Sequence, residues 1–533
     1  MSQEEDSAFL TAVYRADLAK VHNALKSDSL HPHTIKDNRG FTAFHILALN
    51  NNSNTIQYLI RHVRLTQTRD KHGDNAVNVL RAWANARTED LFTCLHFAVY
   101  KGNLKITKML IDIGADIDAK NKQGLGVMHI AAQGDQPLLL AYFRSLQQHF
   151  THPDFKGSTP LHWAAYLGCE LAASLLLAWD VGKTCLNAAD GDGHTPLHLA
   201  TIAGHQKMLK YLLIKGADTN KKVGYMQDVK GRTACKIAEE TSQQALLSLL
   251  QDPGITTHCG IKPPLRPIRC RFLAVTLYIL LFLAGGLWNY NASKLGCSLA
   301  VQIGYFATCG LEFLLFVVIL LKNPGYVNPK SEETLLSLYE KHEAHYICAE
   351  CKIVRPHRSR HCQFCDRCVE KFDHHCPWVN NCIGARNLGW FLAFVAVTEL
   401  MLLESLGINA MAVQVDLRTI VGLLLSLCFL VPVSLLLYVQ IHNFLLNQTT
   451  NERYSHSAKE TPEPLNSSLF LDKSSKVRNC GNMCCNLDQT LHENEAINKS
   501  TGEEFNYTAI IKEYENPANR LDEPLLANNS KNS

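Results

Sequence analysis

Cys348-Ala-Glu-Cys351, His361-Cys362-Gln-Phe-Cys365-Asp-Arg-Cys368, Asp373-His374-His375-Cys376-Pro377-Trp378 and Cys382 fall within one run of 35 residues. Seven of those residues are cysteine. Zinc takes four Cys or His ligands, and paired CxxC spacing is how a chain presents them. Two Cys3His sites use six of the cysteines and two of His361, His374 and His375. One cysteine and one histidine are left over, and the spacing leaves open which they are. A spare thiol beside a spare imidazole has the makings of a reactive site.

Working outward, the run lies between two pairs of apolar stretches. Phe272–Tyr290 and Ser298–Leu321 precede it; Trp390–Val413 and Ile420–Leu446 follow it. Each is long enough to cross a bilayer core of roughly 30 Å. Pro432 predicts a kink in the last. The short connectors carry one basic residue each, Lys294 and Arg418. Arg266, Arg269, Arg271, Lys322 and Lys330 lie on the other side. The positive-inside rule therefore expects the Cys-rich loop and both termini in the cytosol. The sequon at Asn291 would then be lumenal, and the one at Asn447 cytosolic and unmodified. Glu312, Glu399 and Glu404 lie inside spans, where carboxylates are costly. Structural pairing is expected of them rather than ion conduction.

Residues 1–254 repeat themselves. Thr159-Pro-Leu-His162-Trp163-Ala-Ala165 recurs as Thr195-Pro-Leu-His198-Leu-Ala200, with weaker copies around His45, His96 and His129. The period where it is clearest and the T-P-L-H-x-A core are the ankyrin signature. Six or seven helix pairs are expected, each stacking an apolar face on its neighbours. The Thr and His of each copy are expected to make structural hydrogen bonds. Residues 255–271 are Pro-containing and read as a linker.

Bulk figures exclude little. Net charge is +3, so no nucleic-acid partner is implied. Nineteen cysteines in a chain opening on Met-Ser-Gln-Glu-Glu-Asp, without the order of a signal peptide, favour metal binding over disulfides. The tail beyond Glu460 is Ser/Asn-rich and reads as disordered. Cys480, Cys484 and Cys485 in it read as free thiols, with acylation or metal binding as the alternatives.

The run C-x2-C-x9-H-C-x2-C-x2-C-x4-D-H-H-C-P-W-x2-N-C-I-G, over Cys348–Gly384, resembles the cysteine-rich domain of the DHHC protein S-acyltransferases. With ankyrin repeats in front, the chain resembles their ankyrin-repeat subfamily. The resemblance implies two structural zinc ions. One is held by Cys348, Cys351, His361 and Cys368, the other by Cys362, Cys365, His375 and Cys382. It implies that Cys376 is the nucleophile, His374 its base and Asp373 the orienter. Palmitoyl-CoA would be the acyl donor and cysteines of substrate proteins the acceptors. Trp378 would stand near the acyl chain, or else anchor at the membrane interface. Trp163 would take part in recruiting substrates through the repeats, or else pack helices. Lys352, Arg355, Arg358 and Arg360 are candidates for CoA phosphates. Thr449-Thr450-Asn451-Glu452 fits the TTxE motif that packs on the active-site domain. Asn323-Pro-Gly325 fits the DPG motif except that Asn replaces Asp, which puts a turn contact in doubt. A segment ending at Asn479 matches a further family motif only faintly. The subfamily usually has six spans, whereas four are found here. The resemblance also implies Golgi or other endomembranes.

The expected architecture is thus all-α. An ankyrin solenoid (1–254) and linker (255–271) lead to membrane helices 1 and 2 (272–321) and a cytosolic zinc domain (322–389). Membrane helices 3 and 4 (390–446) and a cytosolic tail (447–533) follow. An ankyrin-bearing channel is the competing class, but it has no need of a spare Cys beside His. A non-catalytic zinc adaptor is the third; it would be expected to have lost Cys376.

Overall fold

The computed structural model describes residues 2–26, 33–66, 76–180, 182, 184–220, 232–250, 273–293, 298–328, 333–411 and 417–456. The expected linker and Asn479, Cys480, Cys484 and Cys485 lie outside them.

Among the described residues, seven helix pairs follow one another, from Ser2–Tyr14 with Leu18–Ala24 to Ala234–Glu240 with Gln244–Leu250. An extra helix, Ala76–Ala84, is inserted after the second pair. It accounts for the long gap between Thr42 and Thr93, which breaks the sequence period. The insertion earns its place in the core: Trp83 is 1% exposed, and its ring stacks on Phe44 at 4.0 Å.

The repeat histidines act as staples. In the first of the two clear copies, the Thr159 N–H donates to His162 Nδ1 at 3.1 Å. The opposite nitrogen, Nε2, lies 3.2 Å from the carbonyls of Ala188 and His194 in the next repeat. Nδ1 therefore accepts and Nε2 donates, which requires the neutral imidazole. His45, His96 and His129 follow the same pattern, reaching Phe92, Ala119 and Ser158. Burial pushes the pKa of all three down to about 4. The structural role expected of them is what the structure contains.

Three helices are long and apolar enough to cross a membrane: Leu299–Leu321, Leu388–Ala410 and the stretch Ile420–Leu445. A fourth apolar helix, Leu273–Ser293, packs against them. Its apolar stretch, Ala274–Tyr290, is shorter. Their outer faces expose large apolar side chains, among them Leu280, Leu287, Leu424 and Leu435. In water this surface would be costly; in hydrocarbon it is not. The three intramembrane carboxylates face neighbouring helices. Glu312 is buried and accepts from Tyr278 and Thr398. Glu399 accepts from Ser434 and Glu404 from Thr308. Helix-to-helix pairing is the simple reading of all three.

The all-α expectation needs amending in the Cys-rich run, which holds three short antiparallel hairpins. β1 (Ile347–Cys348) pairs with β2 (Ile353–Val354), β3 (Arg360–Cys362) with β4 (Arg367–Val369), and β5 (His374–Cys376) with β6 (Asn381–Ile383). Strands of two or three residues are too short to leave a legible alternation in sequence.

Candidate functional site

The three hairpins are copies of one unit, set fourteen residues apart. Their central cross-strand pairs are Ile347 with Val354, His361 with Cys368, and His375 with Cys382. Their turns begin at Cys348, Cys362 and Cys376. Each metal-ligand group joins the CxxC turn of one hairpin to the cross-strand His–Cys pair of the next. Cys348 and Cys351 meet His361 and Cys368; Cys362 and Cys365 meet His375 and Cys382.

The donor atoms fit zinc. In the first group, His361 Nδ1 lies 3.6, 3.2 and 4.0 Å from the sulfurs of Cys348, Cys351 and Cys368. In the second, His375 Nδ1 lies 3.7, 3.5 and 3.6 Å from Cys362, Cys365 and Cys382. A tetrahedral zinc with ordinary bond lengths sets a sulfur about 3.6 Å from a nitrogen. Both groups already hold four protein donors, so each shell is closed. The strands explain why neighbours serve different metals. Successive side chains of a strand point to opposite faces. His361 and Cys362 are adjacent on β3, and so turn to different sites.

The same alternation sorts β5. His375 faces the metal group, while His374 and Cys376 share the other face. Cys376 opens a third turn, but Val379 stands where the second cysteine of a CxxC would be. Among the described residues, no metal-ligand group includes Cys376. Instead Cys376 is buried in an apolar cluster with Val379, Phe316, Phe391 and Phe394, the last three from membrane helices.

His374 is held from two sides. Its Nδ1 lies 2.7 Å from Asp373 Oδ2. Its ring meets Phe391 edge-on at 5.2 Å. Asp373 is in turn fixed: its Oδ1 accepts from the Thr450 N–H at 2.5 Å. Gln440 reaches Asp373 Oδ2 at 3.5 Å and donates to the Thr450 hydroxyl at 3.0 Å. Burial works against the charge on each of the three groups, and their mutual contacts outweigh it. Hydrogen bonding and charge from His374 hold the Asp373 carboxyl and the Cys376 thiol below their usual ranges. Asp373 and Cys376 push His374 up to about 9.

Thr449–Glu452 is where the TTxE resemblance puts it, against this site. Thr449 and Glu452 form a capping box on the helix Thr450–His456: the Thr449 N–H donates to Glu452 at 2.8 Å, and the Glu452 N–H to Thr449 at 3.2 Å. Arg358 grips the same carboxylate with Nε at 2.6 Å and Nη2 at 2.7 Å. Arg358 is thereby committed to Glu452 and the Asn447 carbonyl, and is withdrawn from the set of phosphate candidates. Asn323 makes the turn contact that its replacement of Asp put in doubt. Its Oδ1 accepts from the Gly325 and Tyr326 N–H groups, each at 2.9 Å. Trp378 is exposed at the β5–β6 turn. Trp163 is distant in sequence and lies in the solenoid, its indole N–H donating to Asp154 at 2.9 Å.

Further polar residues support the site. Asn381 donates to the carbonyls of Ile319 and Lys322, both at 2.8 Å, and so pins β6 to the end of a membrane helix. Gln440 and Asn443 both donate to Thr450. Their signal was available: polar residues within a long apolar helix mark functional positions.

Residues 341–457 match the family model of the DHHC palmitoyltransferases. Residues 9–121, 95–190, 127–223 and 183–259 match that of ankyrin repeats. "Palmitoyltransferase Hip14" of Drosophila melanogaster is 27% identical over 68% of this chain and 64% of its own length. "Palmitoyltransferase ZDHHC17" of Homo sapiens is 26% identical over 67% of this chain and 63% of its own. "Palmitoyltransferase ZDHHC18-B" of Danio rerio is 36% identical over 26% of this chain and 39% of its own. The chain thus spans less than two thirds of the length of these relatives. Two four-donor groups, a spare thiol beside an imidazole and the two matching family models converge: the chain carries a DHHC palmitoyltransferase domain behind ankyrin repeats.

Proposed function

We propose that the protein transfers a palmitoyl group from palmitoyl-CoA to cysteines of other proteins through an acyl-enzyme on Cys376. One observation carries the reading. Of the seven cysteines in the run, Cys376 alone stands outside both ligand groups, on the strand face it shares with the Asp373-bound His374.

The bond from Asp373 occupies His374 Nδ1 and leaves Nε2 to take the thiol proton. The Cys376 thiolate attacks the thioester carbonyl. A carbon–sulfur bond forms, the bond to CoA breaks, and the leaving CoA thiolate takes a proton from His374. A substrate cysteine then repeats the exchange: it loses its proton to His374, takes the acyl group, and Cys376 leaves. The two zinc ions would brace the hairpins, and their closed shells leave no position for a substrate.

Burial of Cys376 among Phe316, Phe391 and Phe394 supports a lipid cargo, because the chain would extend from the thiol into hydrocarbon. Trp378 is proposed to border that path. The helix Leu273–Ser293 serves as the fourth span, so the site faces the cytosol together with both termini. In this topology Asn447, whose side-chain oxygen and carbonyl accept from Arg358, lies on the cytosolic side and stays unmodified. Substrates are proposed to reach the site through the ankyrin repeats, with the ring of Trp163 available to a partner while its N–H stays on Asp154. Endomembranes, the Golgi among them, are the proposed location.

Incubating the purified protein with alkyne-tagged palmitoyl-CoA is the test. The wild type should acquire a hydroxylamine-sensitive label, and Cys376→Ser should acquire none. Equal labelling of the two, or an unlabelled wild type, overturns the reading.

A further inference from the structure

The first hairpin differs from the other two in what its cross-strand pair does. Where they place His and Cys for a metal, it places Ile347 and Val354. Ile347 is 5% exposed and lies in the same apolar cluster as the ankyrin core; Val354 packs against that cluster. Leu338, Tyr339 and Ala349 join it from the Cys-rich side. The solenoid therefore occupies the near end of the three-hairpin row, and the membrane helices around Cys376 the far end.

A polar contact crosses the same boundary. Lys215, at the end of the helix Gln206–Lys215, places Nζ 2.5 Å from Glu350 Oε2. Both side chains are more than four-fifths buried, at 19% and 16% exposure. The Tyr211 hydroxyl donates to the other Glu350 oxygen at 3.4 Å. Glu350 sits inside the first CxxC turn, and its Oε2 also lies 3.0 Å from His361 Nε2. That nitrogen is buried and has no well-aligned hydrogen-bond partner; Glu350 is its nearest acceptor, and Asp366, at 3.4 Å, is exposed. Nδ1 of the same ring faces the three sulfurs. A carboxylate on the outer nitrogen of a metal-bound histidine fixes its tautomer and ring angle.

We propose that the ankyrin solenoid is a working part of the Cys-rich domain: Lys215 fixes Glu350, and Glu350 orients His361 toward the first metal. Lys215 and Glu350 are positioning residues, acting through His361 on hairpins that lead to Cys376. This role stands on the contacts alone. Its consequence for acyl transfer rests on the function proposed above.

The test follows zinc, not acylation. Full-length protein is challenged with a chromogenic chelator, and release of the two ions is timed. Lys215→Ala should speed the loss of one ion about ten-fold, the lower end of the effect of removing such support, and leave the other unchanged. Lys215→Arg should behave as wild type. Glu350→Ala should match or exceed Lys215→Ala, while Asp366→Asn should change nothing. Unaltered release in both Lys215→Ala and Glu350→Ala overturns the proposal. So does equal acceleration of both ions, which marks general loosening. Because no acyl donor is present, a failed labelling of Cys376 leaves this result standing.

Discussion

At the scale of single residues, the site depends on a few polar groups whose partners are far away in sequence. Arg358 holds Glu452 through two nitrogens, a geometry that a lysine cannot reproduce. Arg358→Lys should therefore lower acyl-enzyme formation about as much as Arg358→Ala, by ten-fold or more, with both proteins folded by circular dichroism. A near-wild-type lysine variant would mean that charge alone suffices. Asn323 makes the opposite case. An oxygen acceptor is all that its turn uses, so Asn323→Asp should label within about two-fold of wild type. Asn323→Ala removes the acceptor of two backbone N–H groups, of which that of buried Gly325 is the one stranded, and should cost about 1 kcal/mol of stability, read from the thermal midpoint. The count of donors made one spare Cys and one spare His legible in the sequence. What the count could not do was choose His374 over His375. Strand alternation makes that choice, and three-residue strands do not declare themselves in a sequence.

At the scale of elements, the fourteen-residue hairpin unit orders the site. The second hairpin supplies ligands to both metal groups: His361 and Cys368 to one, Cys362 and Cys365 to the other. The group nearest Cys376 is the one closed by His375 on the same strand as the nucleophile. Losing it should be the more damaging. Cys365→Ser is expected to reduce bound zinc from two ions per chain to one or fewer and to abolish labelling of Cys376. Cys348→Ser should also remove one ion, yet keep measurable labelling, since it leaves the ligands of β5 and β6 in place. Metal analysis alongside the labelling assay decides this; identical loss in the two variants would show that the hairpins fold only as one unit. The ligand spacing repeats unit for unit, and with it the surplus of Cys376 was in principle readable from the sequence. It is masked because the first copy has Ile347 and Val354 in place of the His–Cys pair and the third has Val379 in place of the second cysteine.

At the scale of the whole molecule, the solenoid and the zinc domain meet through residues such as Lys215 and Glu350, 135 positions apart, or Lys108 and Glu340, 232 apart. No local pattern encodes such a meeting, whereas the repeats themselves were plain because each is a local unit. The repeat histidines give the solenoid a pH signature of its own. His45, His96 and His129 have pKa values near 4 when folded, against about 6.5 in an unfolded chain. Between those values the unfolded state binds more protons, so stability present above pH 6.5 is lost as pH falls toward 4. Each such histidine can contribute a slope of up to about 1.4 kcal/mol per pH unit. Acidification from pH 7 to 5 should thus lower the thermal midpoint of the ankyrin helices, and His96→Gln should flatten the dependence while weakening the repeat at neutral pH. Amide hydrogen exchange, followed separately over residues 94–145 and over the membrane helices, assigns the effect to its source. Protection in the repeats that is constant from pH 7 to 5, after correction for intrinsic exchange, would mean that these imidazoles are not held neutral between their Thr or Gly cap and the next repeat's carbonyl.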